Sequence, residues 1–280
     1  MQNLSPEVMR RVLVALVVAL GATAPAAPKR VMTQWPNPAP VQPPVTADLL
    51  ELGGRVYRGA CQGCHGEKGN GQGREGALLG IPPRDFTTGQ YIIRTTPLGS
   101  LPLDTDLFGS IRRGFRPGVG MPAFTFLSDR EVWAVIAHLK TFSPRFRAEK
   151  VGTPVELPAP PANLKDLAGP GQGIFMGPGA CFVCHGMQGL GDGPAAPGLV
   201  YVSGSHQGKP VKPANLHRAV DFKGGKRPED IFRAISTGLD GTPMPGFAAS
   251  LSVEQRWQVT AFIVSLNPPA PPAGSSGGRP

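Results

Sequence analysis

The chain has only four cysteines in 280 residues, and aromatic residues make up 7% of it, with three tryptophans. It has no apolar run of roughly 18 or more residues, which excludes a polytopic membrane protein. It also lacks any block of about five or six like charges, and any basic stripe interleaved with stacking aromatics. The formal net charge of +9 is therefore no nucleic-acid footprint. Spread thinly over both halves, the excess suits an acidic protein or an anionic membrane surface. Collagen-like and heptad repeats are absent. So few aromatics leave a core short of bulk, and something other than side chains is expected to help fill it.

Glycine and proline are abundant, at 38 and 33 residues, about a quarter of the chain. The chain is therefore loop-rich, and its length favours two modules over one. Arg10 and Arg11 precede the apolar stretch Val12 to Leu20, small residues follow through Ala27, and Ala24-Pro25-Ala26 offers an A-x-A-like cleavage site. That is the layout of a secretory signal. Val12 to Ala24 spans roughly 20 Å as a helix against about 30 Å of hydrocarbon. Residues 1–27 therefore read as a cleaved signal, with a retained N-terminal membrane anchor as the alternative. Either way the bulk of the chain is exported, to the periplasm or the outer face of the cytoplasmic membrane. Residues 28–47 read as a proline-rich linker, 148–167 as a second linker, and 268–280 as a tail too poor in apolar residues to fold.

The two halves repeat each other. Cys61-Gln62-Gly63-Cys64-His65-Gly66 returns as Cys181-Phe182-Val183-Cys184-His185-Gly186. Asp106-Leu107-Phe108 with Ile111 and Gly114 returns as Asp230-Ile231-Phe232 with Ile235 and Gly238. Met121-Pro122-Ala123-Phe124 returns as Met244-Pro245-Gly246-Phe247, and Leu127-Ser128 with Trp133 as Leu251-Ser252 with Trp257. Order and spacing are kept, so this is a tandem duplication. The apolar spacing predicts short helices ending at Gly114 and Gly238. Capping boxes at Ser128/Glu131 and Ser252/Gln255 predict a final helix in each copy. Helices near Asp48–Tyr57 and Gln172–Met176 are expected to run into the first cysteine of each motif.

All four cysteines lie in the two Cys-x-x-Cys-His units. On a helical turn this spacing presents two thiols on one side, able to form thioethers with haem vinyl groups, with the next imidazole aimed at the iron. The rival readings are weaker. Zinc ribbons space their cysteine pairs by about 15–20 residues, and these pairs lie far beyond that. A thioredoxin-like site needs a strand–helix context that is missing. Disulfides closing two-residue loops would stabilise little. A haem iron with one histidine then needs a sixth ligand or keeps an open site. Met1, Met9 and Met32 precede the modules, and Met176 and Met187 flank the second histidine. That leaves Met121 and Met244, in equivalent loops, each before a proline that biases it toward extended backbone. Histidine/methionine ligation raises the potential and suits electron transfer.

With these motifs in place the chain resembles a tandem, dihaem class I cytochrome c, over residues 48–147 and 168–267. The resemblance implies an all-α fold: two domains, each a few helices wrapped round a covalently attached haem, with long glycine- and proline-rich loops. It implies two covalent haem c groups, attached at Cys61, Cys64, Cys181 and Cys184, with His65, Met121, His185 and Met244 as axial ligands. It also implies that Gly53 or Gly54 with Tyr57, and Gly171 or Gly173 with Phe175, pack against Trp133 and Trp257. The segments Pro83-Arg84-Asp85-Phe86 and Pro213-Ala214-Asn215-Leu216 are expected past the haem edge, with Arg84 and Lys212 as either propionate contacts or exposed salt-bridge partners. His138 stands where the other copy has Phe262 and is expected to pack, while His206 and His217 lie in polar loops. Arg112, Arg113 and Arg116 form either a docking rim or a solvated loop. The function implied is electron carriage between redox proteins, as a shuttle or as a subunit of a respiratory or photosynthetic membrane complex, and not catalysis. The alternative is a dihaem enzyme of the peroxidase or thiosulfate dehydrogenase type. It needs an open or replaceable haem site, whereas both sites here have a methionine candidate.

Overall fold

The computed structural model describes residues 39–79, 82–115 and 120–267, all within one compact unit. The expected signal or anchor (1–27), most of the first linker, the tail (268–280) and Arg116 lie outside the described residues.

The architecture is helical. The first copy contains α1 (Ala47–Ala60), α2 (Gln62–His65), α3 (Asp104–Arg113), α4 (Asp129–Leu139) and α5 (Arg145–Ala148). The second contains α6 (Ala168–Met176), α7 (Phe182–His185), α8 (Pro228–Thr237) and α9 (Val253–Ser265). Among the described residues the only β-type pairings are two isolated bridges, Phe115 with Met121 and Val200 with Pro210. Both expected capping boxes form, Ser128 with Glu131 and Ser252 with Gln255. The middle helices end at Gly114 and Gly238, both at φ 70°, where glycine alone is unstrained.

In each copy the first helix crosses the last, α1 over α4 and α6 over α9. Gly53 and Gly171 make these crossings close, because a Cβ there would overlap the carbonyl oxygens of Ala134 and Gln258. Tyr57 then packs at a tilt on His138 (5.3 Å) and Phe142 (5.0 Å), and Phe175 on Phe262 (5.2 Å). The tryptophans differ from expectation. Each precedes the crossing residue or lies near it on another face of the helix, so it turns to the middle helix. Trp133 packs on Phe108 at 4.6 Å and Trp257 on Phe232 at 4.0 Å. A second difference concerns α6, which stops at Met176 rather than reaching Cys181. Gly177 and Pro178 break it, and the chain re-enters the motif through Ala180 at φ 44°.

The second linker is packed. Leu157 is buried with Phe232 and Trp257, Val155 donates its N–H to the Thr95 carbonyl (2.8 Å), and Arg256 reaches the Glu156 carbonyl (3.4 Å). Side chains also join the copies directly. Gln90 Nε2 donates to Ser203 Oγ (2.8 Å), Arg94 Nη2 to the Thr237 carbonyl (2.8 Å), and Arg113 pairs with Asp230 (3.5 Å).

Candidate functional site

Each Cys-x-x-Cys-His unit is a single helical turn. His65 N donates to the Cys61 carbonyl and His185 N to that of Cys181, both at 2.9 Å. Gly66 and Gly186, both at φ 79°, then reverse the chain. The glycine-rich loops that follow fold back onto the turn. Gly71 N bonds the His65 carbonyl and Gly73 N that of Cys64, with Gly191 on His185 and Gly193 on Cys184 in the second copy. A Cβ on Gly73 or Gly193 would strike the motif backbone, so these glycines are required for the clamp. Tyr57 adds a hydroxyl bond to the Gly66 carbonyl (2.6 Å).

The four thiols are free and half-buried. Burial, with the neighbouring thiolate adding, pushes Cys61 and Cys181 up to about 11. Burial therefore favours the neutral thiol at both positions.

The histidines carry the sharpest geometry. Nδ1 of His65 stands 2.9 Å from the Arg84 carbonyl oxygen, and Nδ1 of His185 3.0 Å from that of Ala214. A carbonyl only accepts, so the proton sits on Nδ1 and Nε2 keeps its lone pair for a metal. Burial lowers the proton affinity of both rings and keeps them neutral. These carbonyls were not singled out from the sequence, although the segments bearing them were: both follow a proline, Pro83 and Pro213. Phe86 stacks on His65 at 4.3 Å, and Leu216 is the buried residue in its place in the second copy.

The methionine loops are duplicated in detail. The Met121 carbonyl accepts from Phe115 N (2.8 Å) and the Met244 carbonyl from Leu239 N (3.2 Å). Phe124 N reaches the Ile111 carbonyl and Phe247 N that of Ile235, folding each loop onto its middle helix. Met121 packs against the core that contains Tyr57, Phe86 and Trp133, and Met244 against the core that contains Phe175, Leu216 and Phe262. Met121 thus meets the same core as Phe86, the ring stacked on His65, and Met244 the same core as Leu216.

Arg84 is half-buried, and its electrostatic neighbours are Tyr91 and Asp85 together with Asp240 and Tyr201 of the other copy. The Tyr91 hydroxyl is buried without a protein partner, which suits a carboxylate such as a haem propionate. Lys212 is exposed. His138 is half-buried among aromatic rings, as expected of a packing residue. His206 packs at a tilt on Tyr201 at 5.4 Å, and His217 bonds the Gln188 carbonyl (2.8 Å). Arg112 pairs with Asp129 and donates to the Phe124 and Leu127 carbonyls, so it closes a loop. Among the described residues no cluster of three or more His, Cys, Asp or Glu could hold a bare metal ion. The donor set of each copy, paired thiols with a tautomer-fixed histidine, instead fits a covalently attached haem.

Comparison with known proteins agrees. Residues 48–139 match the family described as cytochrome C oxidase, cbb3-type, subunit III, and residues 168–267 match cytochrome c. A chain of the reducing HAO-like protein complex of Kuenenia stuttgartiensis is 37% identical, with a TM-score of 0.70 over 78% of this chain and 96% of that one. Among curated proteins none is significantly similar. Two such domains in tandem carry two covalently bound haem c groups and serve electron transfer between redox proteins. The chain belongs to the cytochrome c family, as a tandem dihaem class I cytochrome c.

Proposed function

We propose that this chain is an exported one-electron carrier that serves a redox complex, as a shuttle or as a subunit, with no substrate chemistry of its own. The observation that carries the reading is the twofold occurrence of one arrangement: a histidine whose Nδ1 is held by a carbonyl, and a methionine loop closed onto the same core. The relative in an HAO-like complex, matched over nearly its whole length, supports a place beside a multi-subunit redox enzyme. The basic, apolar and small-residue order of residues 10–27 supports export.

Cys61, Cys64, Cys181 and Cys184 would hold the haems as thioethers, with His65 and His185 as proximal ligands and Met121 and Met244 as the sixth. Haem c supplies a ferrous/ferric one-electron couple. The chain's residues set its poise. The Arg84 and Ala214 carbonyls would make the imidazoles better donors, while the Met121 and Met244 sulfurs would favour the ferrous state. Arg84, with the buried Tyr91 hydroxyl, would receive a propionate. Met121 and Met244, as sixth ligands, would leave neither iron open to substrate, which disfavours the peroxidase or thiosulfate dehydrogenase reading.

The test is the pair Met121→Ala and Met244→Ala in the haem-loaded chain. Each is expected to abolish one of two near-infrared methionine-to-iron charge-transfer contributions and to lower one potential, leaving the other haem intact. Unchanged spectra and potentials in either variant would reassign that loop, with His206 or His217 as the candidate ligand in the second copy.

A further inference from the structure

Arg94 is fully buried at the junction of the two copies, at 0% exposure. Its guanidinium donates to three carbonyls: Nη1 to Tyr91 (3.3 Å) and Nε to Pro97 (3.1 Å) in its own copy, and Nη2 to Thr237 (2.8 Å) in the other. Thr237 is the last residue of α8, where helix carbonyls lack internal partners and the helix dipole favours a cation. The Met244 loop rests on this helix end. Leu239 N bonds the Met244 carbonyl, and a Cβ on Gly238 would lie 2.7 Å from Pro245 C and 2.9 Å from the Met244 carbonyl oxygen. A Cβ on Gly246 would lie 3.0 Å from the same Thr237 oxygen that Arg94 holds. The first copy has Ala123 where the second has Gly246. The second loop therefore packs against a carbonyl fixed by the first copy.

We propose that Arg94 is a positioning residue acting across the copies, capping α8 at Thr237 and so setting the Met244 loop and the ligation of the second haem. This rests on the reading of Met244 as an axial ligand. Removing the guanidinium would leave the buried Tyr91 and Thr237 carbonyls unpaired, and the helix end would shift to find water or other donors. The effect belongs to the second haem although Arg94 lies in the first copy's sequence.

The experiment compares Arg94→Met, Arg94→Lys, Gly246→Ala, Met121→Ala and Met244→Ala in the haem-loaded full chain, by near-infrared charge-transfer absorption and redox titration. The two methionine variants assign the contributions. Arg94→Met is expected to weaken the Met244 contribution and lower the second potential with the first haem unchanged. Arg94→Lys, which keeps the charge but reaches fewer carbonyls, is expected to fall between it and the parent. Gly246→Ala crowds the Thr237 carbonyl from the loop and is expected to reproduce the selective loss, which keeps the test intact if Arg94→Met does not fold. An unaltered second haem in Arg94→Met or in Gly246→Ala, beside a lost signal in Met244→Ala, would overturn the cross-copy brace alone. A change confined to the first haem would do the same. No loss in Met244→Ala would overturn the ligand reading and the brace with it.

Discussion

Gly53 lies so close to Ala134 that a Cβ on the glycine would overlap the Ala134 carbonyl oxygen, and Gly171 stands in the same relation to Gln258. Both are the points where the first helix of a copy crosses the last. Gly53→Ala and Gly171→Ala are expected to cost about 1–3 kcal/mol each, since a packed backbone crossing must open. Gly173→Ala meets nothing within 4 Å in the same helix as Gly171 and is expected to be neutral or stabilising by about 0.5–1 kcal/mol. Chemical denaturation of the four proteins, parent included, checks the contrast.

His138 gives the fold an acid-sensitive point. Burial among Tyr57 and Phe142, with Arg58 nearby, lowers its proton affinity below the ordinary value of 6.5. The neutral ring is therefore favoured in the folded state, and the unfolded chain binds the proton first as the pH falls. Stability from this site is present above about pH 6.5 and is lost on acidification. His138→Phe, which copies Phe262, is expected to flatten the fall in stability between about pH 7 and 5. An unchanged slope in denaturation midpoints would contradict this.

The capping boxes differ in one atom type. The Glu131 carboxylate accepts from Ser128 N (2.7 Å) and Ser128 Oγ (2.6 Å), which hold it below the usual carboxylate range, whereas Gln255 does not titrate. A depressed carboxylate contributes stability above its unfolded value that is lost as the pH falls through the folded one. Ser128→Ala and Ser252→Ala are each expected to cost about 1 kcal/mol near neutrality. At acid pH the cost of Ser128→Ala should shrink while that of Ser252→Ala persists, as thermal midpoints of both variants would show.

Export makes its own prediction. N-terminal sequencing of native protein is expected to begin near Ala27, with the protein washing free in salt. Persistence of residues 12–24 and release by detergent alone would assign the proline-rich linker as a membrane tether.

Much of the site can be read from residue order. Cys-x-x-Cys-His, the methionine loops and the capping boxes are side-chain patterns, and their duplication identifies each. Other features rest on backbone or on register, which composition does not display. The acceptors for His65 and His185 are carbonyls of Arg84 and Ala214, two residues with nothing in common as side chains. Gly53 and Gly54 are equivalent on paper, and only the crossing with Ala134 separates them. Trp133 and Trp257 face the middle helices because helix rotation decides their direction. The second linker reads as a break because it is rich in proline, yet Leu157 is buried in it. Arg94 has no counterpart in a repeated motif, so its contact with Thr237 appears only in three dimensions.

Spectroelectrochemical titration of the oxidised, haem-loaded full chain, followed into the near infrared, tests electron carriage at two closed His/Met sites most directly. The expected result is two one-electron waves from low-spin ferric haems, each losing a methionine charge-transfer contribution on reduction. A substantial high-spin ferric population at either haem would contradict it, because an open iron site serves substrate chemistry rather than electron carriage.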